Sequence, residues 1–452
     1  TSCWGTQLVS LSDEYGFDAT HDGVFAMWYG KGPGLDRSVD ALKHANLVGT
    51  SPNGGVLAVF GDDHACKSST LPHQSEQSMI AASIPVLHPC GLSEVLRYGI
   101  LGYEMSRFSG CWISLKTTSD NMDSSESIDL SNQVSNYSTP SSPKENVYAR
   151  TGEFKLVEAE RRLREIKLPL VQEFWRQHGN DGVIFGTSEK ETIQLGIVGV
   201  GKTCVDVRKA LKRLGLESEE DAKRRGISIF KVGMSYPLEA TKISAWASKC
   251  EKVLIVEEKR SLVESQLKDI MYNNSHKSTR ILGKYDESGA SLLPQHGQIN
   301  AGSIASTIER VFHVSSETKN LVATQQINTD VLQRTPYFCA GCPHNQSTKL
   351  PDSSVATAGI GCHTLAMNLD RSKTMPYTHM GAEGTHWIGM NHFVRCLSIA
   401  MKTPSIQQNI FFNRYDPEQT RIITSLSIWV MVHIHILDSS PFVKQSRVRE
   451  ML

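Results

Sequence analysis

The 452-residue sequence has no excess of either charge, with 47 Lys and Arg against 47 Asp and Glu. That argues against nucleic acid or an anionic membrane surface as a partner, because both are bound through a surplus of cations. A long apolar run is missing too. The most apolar late stretch, Ile428 to Leu437, is interrupted by His433 and His435 and falls short of the roughly 20 residues that span a bilayer. The ten cysteines are scattered without the spacing of a disulfide-stapled secreted scaffold. No signal peptide precedes them, so a reducing, cytoplasmic location is expected. Opening on Thr1 rather than methionine, the chain is expected to begin inside a longer protein. Its length suits about two to four domains with cores of their own.

Three cysteines stand out by spacing. Pro336-Tyr-Phe-Cys339-Ala-Gly-Cys342-Pro-His344-Asn345 carries a Cys-x-x-Cys turn, and Ala358-Gly359-Ile360-Gly361-Cys362-His363 carries a third cysteine in a glycine turn. Two thiolates so spaced can meet at one metal, and the third could join them. Zinc and an iron-sulfur cluster are both candidates. A zinc ribbon wants two Cys-x-x-Cys knuckles and only one is present, so a cluster whose fourth ligand lies elsewhere fits better. Haem attachment is excluded because His344 does not directly follow Cys342.

Residues 1–130 alternate strand and helix patterns, the signature of a parallel sheet. Asp22 to Tyr29 has the apolar density of a buried strand and runs into Gly30-Lys-Gly32-Pro-Gly34-Leu-Asp36, glycine-rich enough to bring backbone amides to a ligand. Gly54 to Phe60 reads as a second strand, ending in the polar stretch Gly61-Asp62-Asp63-His64-Ala-Cys66-Lys67-Ser68-Ser69-Thr70-Leu-Pro-His73-Gln74-Ser75-Glu76. Ligands of open parallel sheets gather at such strand ends. Ile84 to Leu87 and Gly110 to Leu115 read as further strands around a helix from Ser93 to Met105. Thr117 to Pro143 is a serine-rich linker, and Glu153 to Gln177 has the spacing of a surface helix.

Gln194-Leu-Gly196-Ile-Val-Gly199-Val-Gly201-Lys202-Thr203 satisfies the phosphate-binding loop pattern in full, and Lys252 to Glu258 adds an apolar strand ending in acid. Nucleotide hydrolysis is therefore the rival reading. Against it, Gly196 lies inside an apolar run rather than after one, and the acidic strand ends in glutamates where a magnesium aspartate is usual.

The stretches Trp28 to Arg37, Gly61 to His64, Pro72 to Glu76, Cys339 to Asn345, Ala358 to His363 and Tyr377 to Gly389 resemble the fused-chain indolepyruvate ferredoxin oxidoreductases. The resemblance implies an α/β fold of several doubly wound, mostly parallel sheets, the thiamine-diphosphate-binding fold. It places an N-terminally truncated pyrimidine-type domain at 1–130, a linker and surface helix at 131–190, a transketolase-C-like domain at 191–312, and the start of a diphosphate-type domain at 330–393. It also implies oxidative decarboxylation of an aryl or branched 2-oxoacid with coenzyme A, electrons passing through a 4Fe-4S cluster to ferredoxin, in a homo-oligomer of the full-length enzyme. Asp63, His64 and Ser69 are then the catalytic candidates, with Asp62 beside them. Gly32, Gly34, Ser68, Gly359, Ile360, Gly361, His363, Glu383 and Gly384 would face the cofactor, and Cys339, Cys342 and Cys362 would ligate the cluster. The glutamate that activates thiamine in this family would precede Trp4 and so lie upstream of Thr1, and the chain alone then reads as an inactive fragment.

The family pattern ends near Phe393, and the Gly-Asp-Gly-Thr expected to hold magnesium against the diphosphate does not follow. Instead the chain reads Ser427-Ile-Trp429-Val430-Met431-Val432-His433. Trp is TGG, Met is ATG and every Val begins GT, so a one-base shift turns Trp429-Val430 and Met431-Val432 each into a glycine codon around an NAT codon. The shifted string permits Asn-Leu-Gly-Asp-Gly-Thr. Residues 394–452 are thus expected to be intron-derived or frameshifted, and the tail disordered or non-native. Sequencing the gene should show GAT between the two shifted glycine codons; any other base before AT removes the aspartate.

Overall fold

The computed structural model describes residues 1–16, 18–129, 147–149, 155–186, 193–273, 279–312, 337–350, 355–369, 374–382, 385 and 390, and the backbone of 398–403 and 406–413. The chain divides into two units, Thr1–Gln326 and Ile327–Leu452.

The first unit holds two open sheets. Strands β1 (Phe25–Lys31), β2 (Gly55–Asp62), β3 (Val86–Leu87) and β4 (Ile113–Thr118) run parallel in the order β1-β2-β4-β3. Side chains alternate along β2 as a pleated strand requires. Val56, Ala58 and Phe60 pack with Leu35, Leu42 and Met79 from the helices Gly32–Val48 and Glu76–Ala81. Leu57 turns the other way, into a core with Tyr98, Leu101 and Met105 of the helix Leu92–Ser109. That core is completed by Val171, Phe174 and Trp175 of the helix Leu168–His178, so the segment read as a surface helix is solvated on one face only.

β1 also departs from expectation. It is a strand, but at the sheet edge, and Phe25, Met27 and Tyr29 are exposed while Ala26 is buried. Apolar density alone does not report which side of an edge strand is covered. The glycines after it form no loop: β1 runs through Lys31 and the helix starts at Gly32, with Pro33 in its first turn.

The second sheet contains β5 (Gly182–Gly186), β6 (Ile193–Val200), β7 (Ile227–Val232), β9 (Cys250–Val256) and β10 (Arg280–Leu282), in the order β10-β9-β6-β7-β5. Only β5 is antiparallel. One face packs Ile197, Ile229 and Leu254 on the helices Thr203–Arg213 and Ala301–Phe312. The other packs Val198, Phe230 and Ile255 on the helices Ala240–Ala247 and Val263–Tyr272. Both faces being covered, the strands read as nearly continuous apolar runs.

The two sheets are stitched together by β8 (Met234–Tyr236), which leaves β7 through Gly233 and pairs antiparallel with β3 in the first sheet. The crossing is tight: a Cβ at Gly233 would lie 2.1 Å from the Tyr98 hydroxyl. Buried Asp181 accepts the Gly233 N–H at 2.6 Å.

In the second unit β11 (Val355–Thr357) and β12 (Thr374–Met375) are parallel, and β13 (Ser398–Thr403) and β14 (Ile406–Asn413) form a hairpin that joins β11. This hairpin lies within 394–452, the stretch expected from the sequence to be disordered or non-native. No helix of the described residues is long and apolar enough to cross a membrane. Replacing Phe174, fully buried between helix and sheet, by alanine should lower unfolding free energy by about 3–5 kcal/mol. Urea titration checks this, and a midpoint equal to wild type would refute the packing described.

Candidate functional site

β2 and β4 end side by side, and buried charge sits on Asp62, the last residue of β2, and on Lys116, two residues before the end of β4. Lys116, fully buried in β4, donates to Glu76 Oε1 at 2.5 Å and lies 3.3 Å from Asp62 Oδ2. Asp62 also accepts from Ser75, through the backbone N–H at 2.9 Å and the hydroxyl at 2.5 Å. Both ends of the polar stretch 62–76 are therefore held at one ammonium. Burial pushes the Asp62 carboxyl up, but Lys116 and the Ser75 bonds outweigh it and leave it below the usual range. Burial prevails at Glu76, which is raised, making it the first of the two to accept a proton. Sequence reading missed Lys116; its signal was a lysine directly following the mostly apolar strand Cys111-Trp-Ile-Ser-Leu115.

Within the loop, His64 is buried and its Nδ1 pairs with the His73 carbonyl at 2.9 Å. Since a carbonyl only accepts, Nδ1 carries the proton and Nε2 is left as an acceptor. That Nε2 is buried and has no hydrogen-bond partner among the described residues. Burial first, then the charge of Lys116, drives the imidazole down to about 3. His64 is thus a neutral acceptor, chemically unsuited to donate a proton near neutrality.

The other loop candidates are placed differently. Asp63 accepts the N–H groups of Lys67 (2.9 Å) and Ser68 (2.7 Å), which outweigh its burial and hold its carboxyl below the usual range. Its carboxylate shapes the loop. Ser68 is exposed and Ser69 half-buried. Gly32 lies under the loop, where a Cβ would come 2.2 Å from the His73 ring, whereas Gly34 faces open space.

From the second sheet, Lys259 donates to the His64 carbonyl at 2.6 Å, and the Gln74 side chain bonds Arg260 N at 3.0 Å. The phosphate-loop-like segment is not free to act as one. Gly196 to Val200 is strand, and a Cβ at Gly201 would lie 2.2 Å from the His88 ring, so an imidazole fills the turn. Lys202 pairs with Asp206 at 2.9 Å and Glu258 at 3.5 Å. The Thr203 hydroxyl donates to Val256 O at 2.6 Å. Glu257 accepts the N–H groups of Leu262, Val263 and Glu264, capping a helix. Each group that a nucleotide and its magnesium would need has a structural partner, which sets the rival reading aside.

In the second unit, Gly359, Ile360 and Gly361 follow the C-terminal end of β11, and His363 is buried in the 3-10 turn Gly361–Leu365. Cys342 Sγ lies 3.1 Å from His344 Nδ1, and the His344 ring meets His363 edge to face at 4.6 Å, so the two cysteine-bearing turns touch. Cys339 and Cys362 are exposed. Among the described residues no three His, Cys, Asp or Glu side chains converge as a metal site. Glu383 and Gly384 lie outside the described residues.

His64 gives a pH prediction. Its folded value lies below the 6.5 of a free imidazole, so its contribution to stability is complete above pH 6.5 and is lost as pH falls toward 3. Between about pH 6 and 4 wild type should lose up to about 1.4 kcal/mol per pH unit from this group. His64→Gln should show a correspondingly shallower slope in urea midpoints; parallel slopes would contradict the assignment.

Comparison with known proteins bears on what this arrangement serves. Residues 186–334 match the family model described as the indolepyruvate oxidoreductase domain. The "Indolepyruvate oxidoreductase subunit IorA" of Pyrococcus horikoshii is 24% identical over 369 residues, covering 78% of this chain and 53% of that protein. The Thermococcus kodakarensis protein of the same name is 25% identical over 385 residues, covering 81% and 56%. The chain thus spans about half the length of these relatives. A solved 2-oxoglutarate:ferredoxin oxidoreductase from Magnetococcus marinus aligns over 69% of this chain and 55% of its own, at 14% identity and a TM-score of 0.43. Residues 186–334 are thus similar to an indolepyruvate oxidoreductase domain, and the chain is similar over most of its length to proteins named as the A subunit of indolepyruvate oxidoreductase.

Proposed function

We propose that this chain is part of a 2-oxoacid:ferredoxin oxidoreductase of the indolepyruvate type, acting on aryl or branched 2-oxoacids with coenzyme A. The observation that carries the reading is the relationship to IorA proteins across about three quarters of the chain. When bound, thiamine diphosphate with magnesium supplies the electron sink that decarboxylation of a 2-oxoacid requires.

The chain's own part is to bind, orient and exclude water. The loop 62–76 fits one end of such a ligand, because His64 Nε2 offers a buried acceptor at the end of a parallel strand, where ligands of this fold class gather. In this reading an amino or hydroxyl group of the ligand donates to it, with Ser68 and Ser69 at the loop's more open side, Asp63 holding their backbone, Gly32 beneath, and Gly34 facing the open space beyond. Within the second unit, taken by itself, Gly359, Ile360, Gly361 and His363 would receive a diphosphate; the candidates Glu383 and Gly384 lie outside the described residues. Gly361 at φ +83° with nothing near its Cβ position leaves its backbone open to close approach.

Cys339, Cys342 and Cys362 are three of the four thiolate ligands of a 4Fe-4S cluster in this proposal, delivering electrons to ferredoxin. The donor set suits iron-sulfur chemistry, and the touching turns put two of its segments in one place. The test is anaerobic reconstitution with iron and sulfide. Iron bound by the wild-type chain should fall at least about tenfold in Cys342→Ser, as losing a ligand predicts; unchanged iron ends the cluster assignment.

A further inference from the structure

The connection after β3 and the turn after β6 meet at two points. His88 sits over Gly201, and two residues beyond His88 and three beyond Gly201 the Cys90 and Cys204 thiols come close enough for Cys204 to raise the Cys90 thiol. Independent contacts fix the same juxtaposition. Gly199 has no side chain, and a Cβ there would lie 2.9 Å from Cys204 Sγ, so that sulfur occupies the space on Gly199's side of the sheet. Lys231 is the register partner of Gly199 on the neighbouring parallel strand, so its side chain leaves the sheet on that side too. Its ammonium reaches Glu94, and the other oxygen of Glu94 takes the Cys90 N–H at 2.9 Å. From the second sheet Cys204, and from the first sheet Cys90, are thereby brought to one place. Neither is needed by the proposed ligand site, and both are free thiols.

We propose that Cys90 and Cys204 are a site of reversible disulfide formation, a covalent staple between the two sheets of the first unit. Cys204 is buried and Cys90 only partly so, which makes Cys90 the more accessible of the two and the one a small disulfide meets first. The Cys90 thiolate attacks one sulfur of that disulfide, whose S–S bond breaks and releases one small thiol. The Cys204 thiolate then attacks the Cys90 sulfur and releases the second. Two protein thiols are oxidised, the small disulfide is reduced to two thiols, and the two protein protons end on the leaving thiolates. The hydrogen bond with Cys204, then burial, raise the Cys90 thiol, so it is protonated near neutrality and exchange is slow. The pair responds to a sustained oxidising shift rather than to a brief one.

The test uses the whole chain, oxidised glutathione, an acid quench, alkylation in denaturant and mass spectrometry of non-reduced peptides. A linked Cys90–Cys204 peptide should accumulate, about tenfold faster per pH unit between roughly pH 7 and 8.5 because thiolate is the reactive form. It should vanish in Cys90→Ser and in Cys204→Ser, and its yield should fall when the chain is oxidised in urea. Exposed Cys339 reports that the oxidant has acted. Glutathione on Cys339 with Cys90 and Cys204 recovered separately alkylated would overturn the proposal, as would an equal yield of the link from the unfolded chain.

Discussion

A single ammonium buried at the end of β4 holds the rest of the site in place. Lys116 lies between Asp62, where β2 ends, and Glu76, where the next helix begins. Removing a charge from water is expensive unless partners surround it, and removing one partner of such a set costs more than the set gains in stability. The ion set is therefore better understood as fixing a shape than as adding stability. It closes the loop between the two carboxylates and dictates where His64 points. The second sheet completes the enclosure through Lys259, which donates to the His64 carbonyl, and Arg260, whose N–H the Gln74 side chain accepts, so the polar strand-end loop is gripped from both sides.

The same contact surface explains why a complete sequence motif does not carry its usual chemistry. A phosphate loop works by leaving backbone N–H groups and a lysine unpaired around a cavity. Here the glycines belong to a strand, an imidazole covers the turn, and the lysine is neutralised by two carboxylates. The glycines serve close packing instead: a Cβ at Gly196 would lie 2.7 Å from the Trp246 ring and the Cys250 sulfur. Spacing that suits phosphate also suits two sheets packed loop to loop.

Much of this architecture was legible in the residues. The alternation of apolar runs with amphipathic stretches gave the parallel sheets, and the polar run after Phe60 marked a strand end where ligands gather. Edge and centre could not be separated, because β1 and β2 have similar apolar density and only the sheet order exposes Met27 and Tyr29. The return of β8 to the first sheet was hidden because three residues carry no pattern of their own. Lys116 was missed because its meaning lies in Asp62 and Glu76, far away in sequence, and no local period links them. Glu153 to Gln177 reads as a surface helix because its apolar residues at helical spacing are set among charges, and only the tertiary packing shows that Val171, Phe174 and Trp175 complete a core.

The central claim is that Lys116 organises the loop, and amide hydrogen exchange of Lys116→Met measures it most directly. Methionine keeps the length and apolar stem of the side chain but leaves two buried carboxylates without their cation. The account predicts that amides of residues 63–75 exchange at least about a hundredfold faster, a loss of roughly 2.7 kcal/mol of local protection, while strands β6, β7 and β9 keep their wild-type rates. Unchanged exchange in 63–75 in a folded Lys116→Met chain would contradict it.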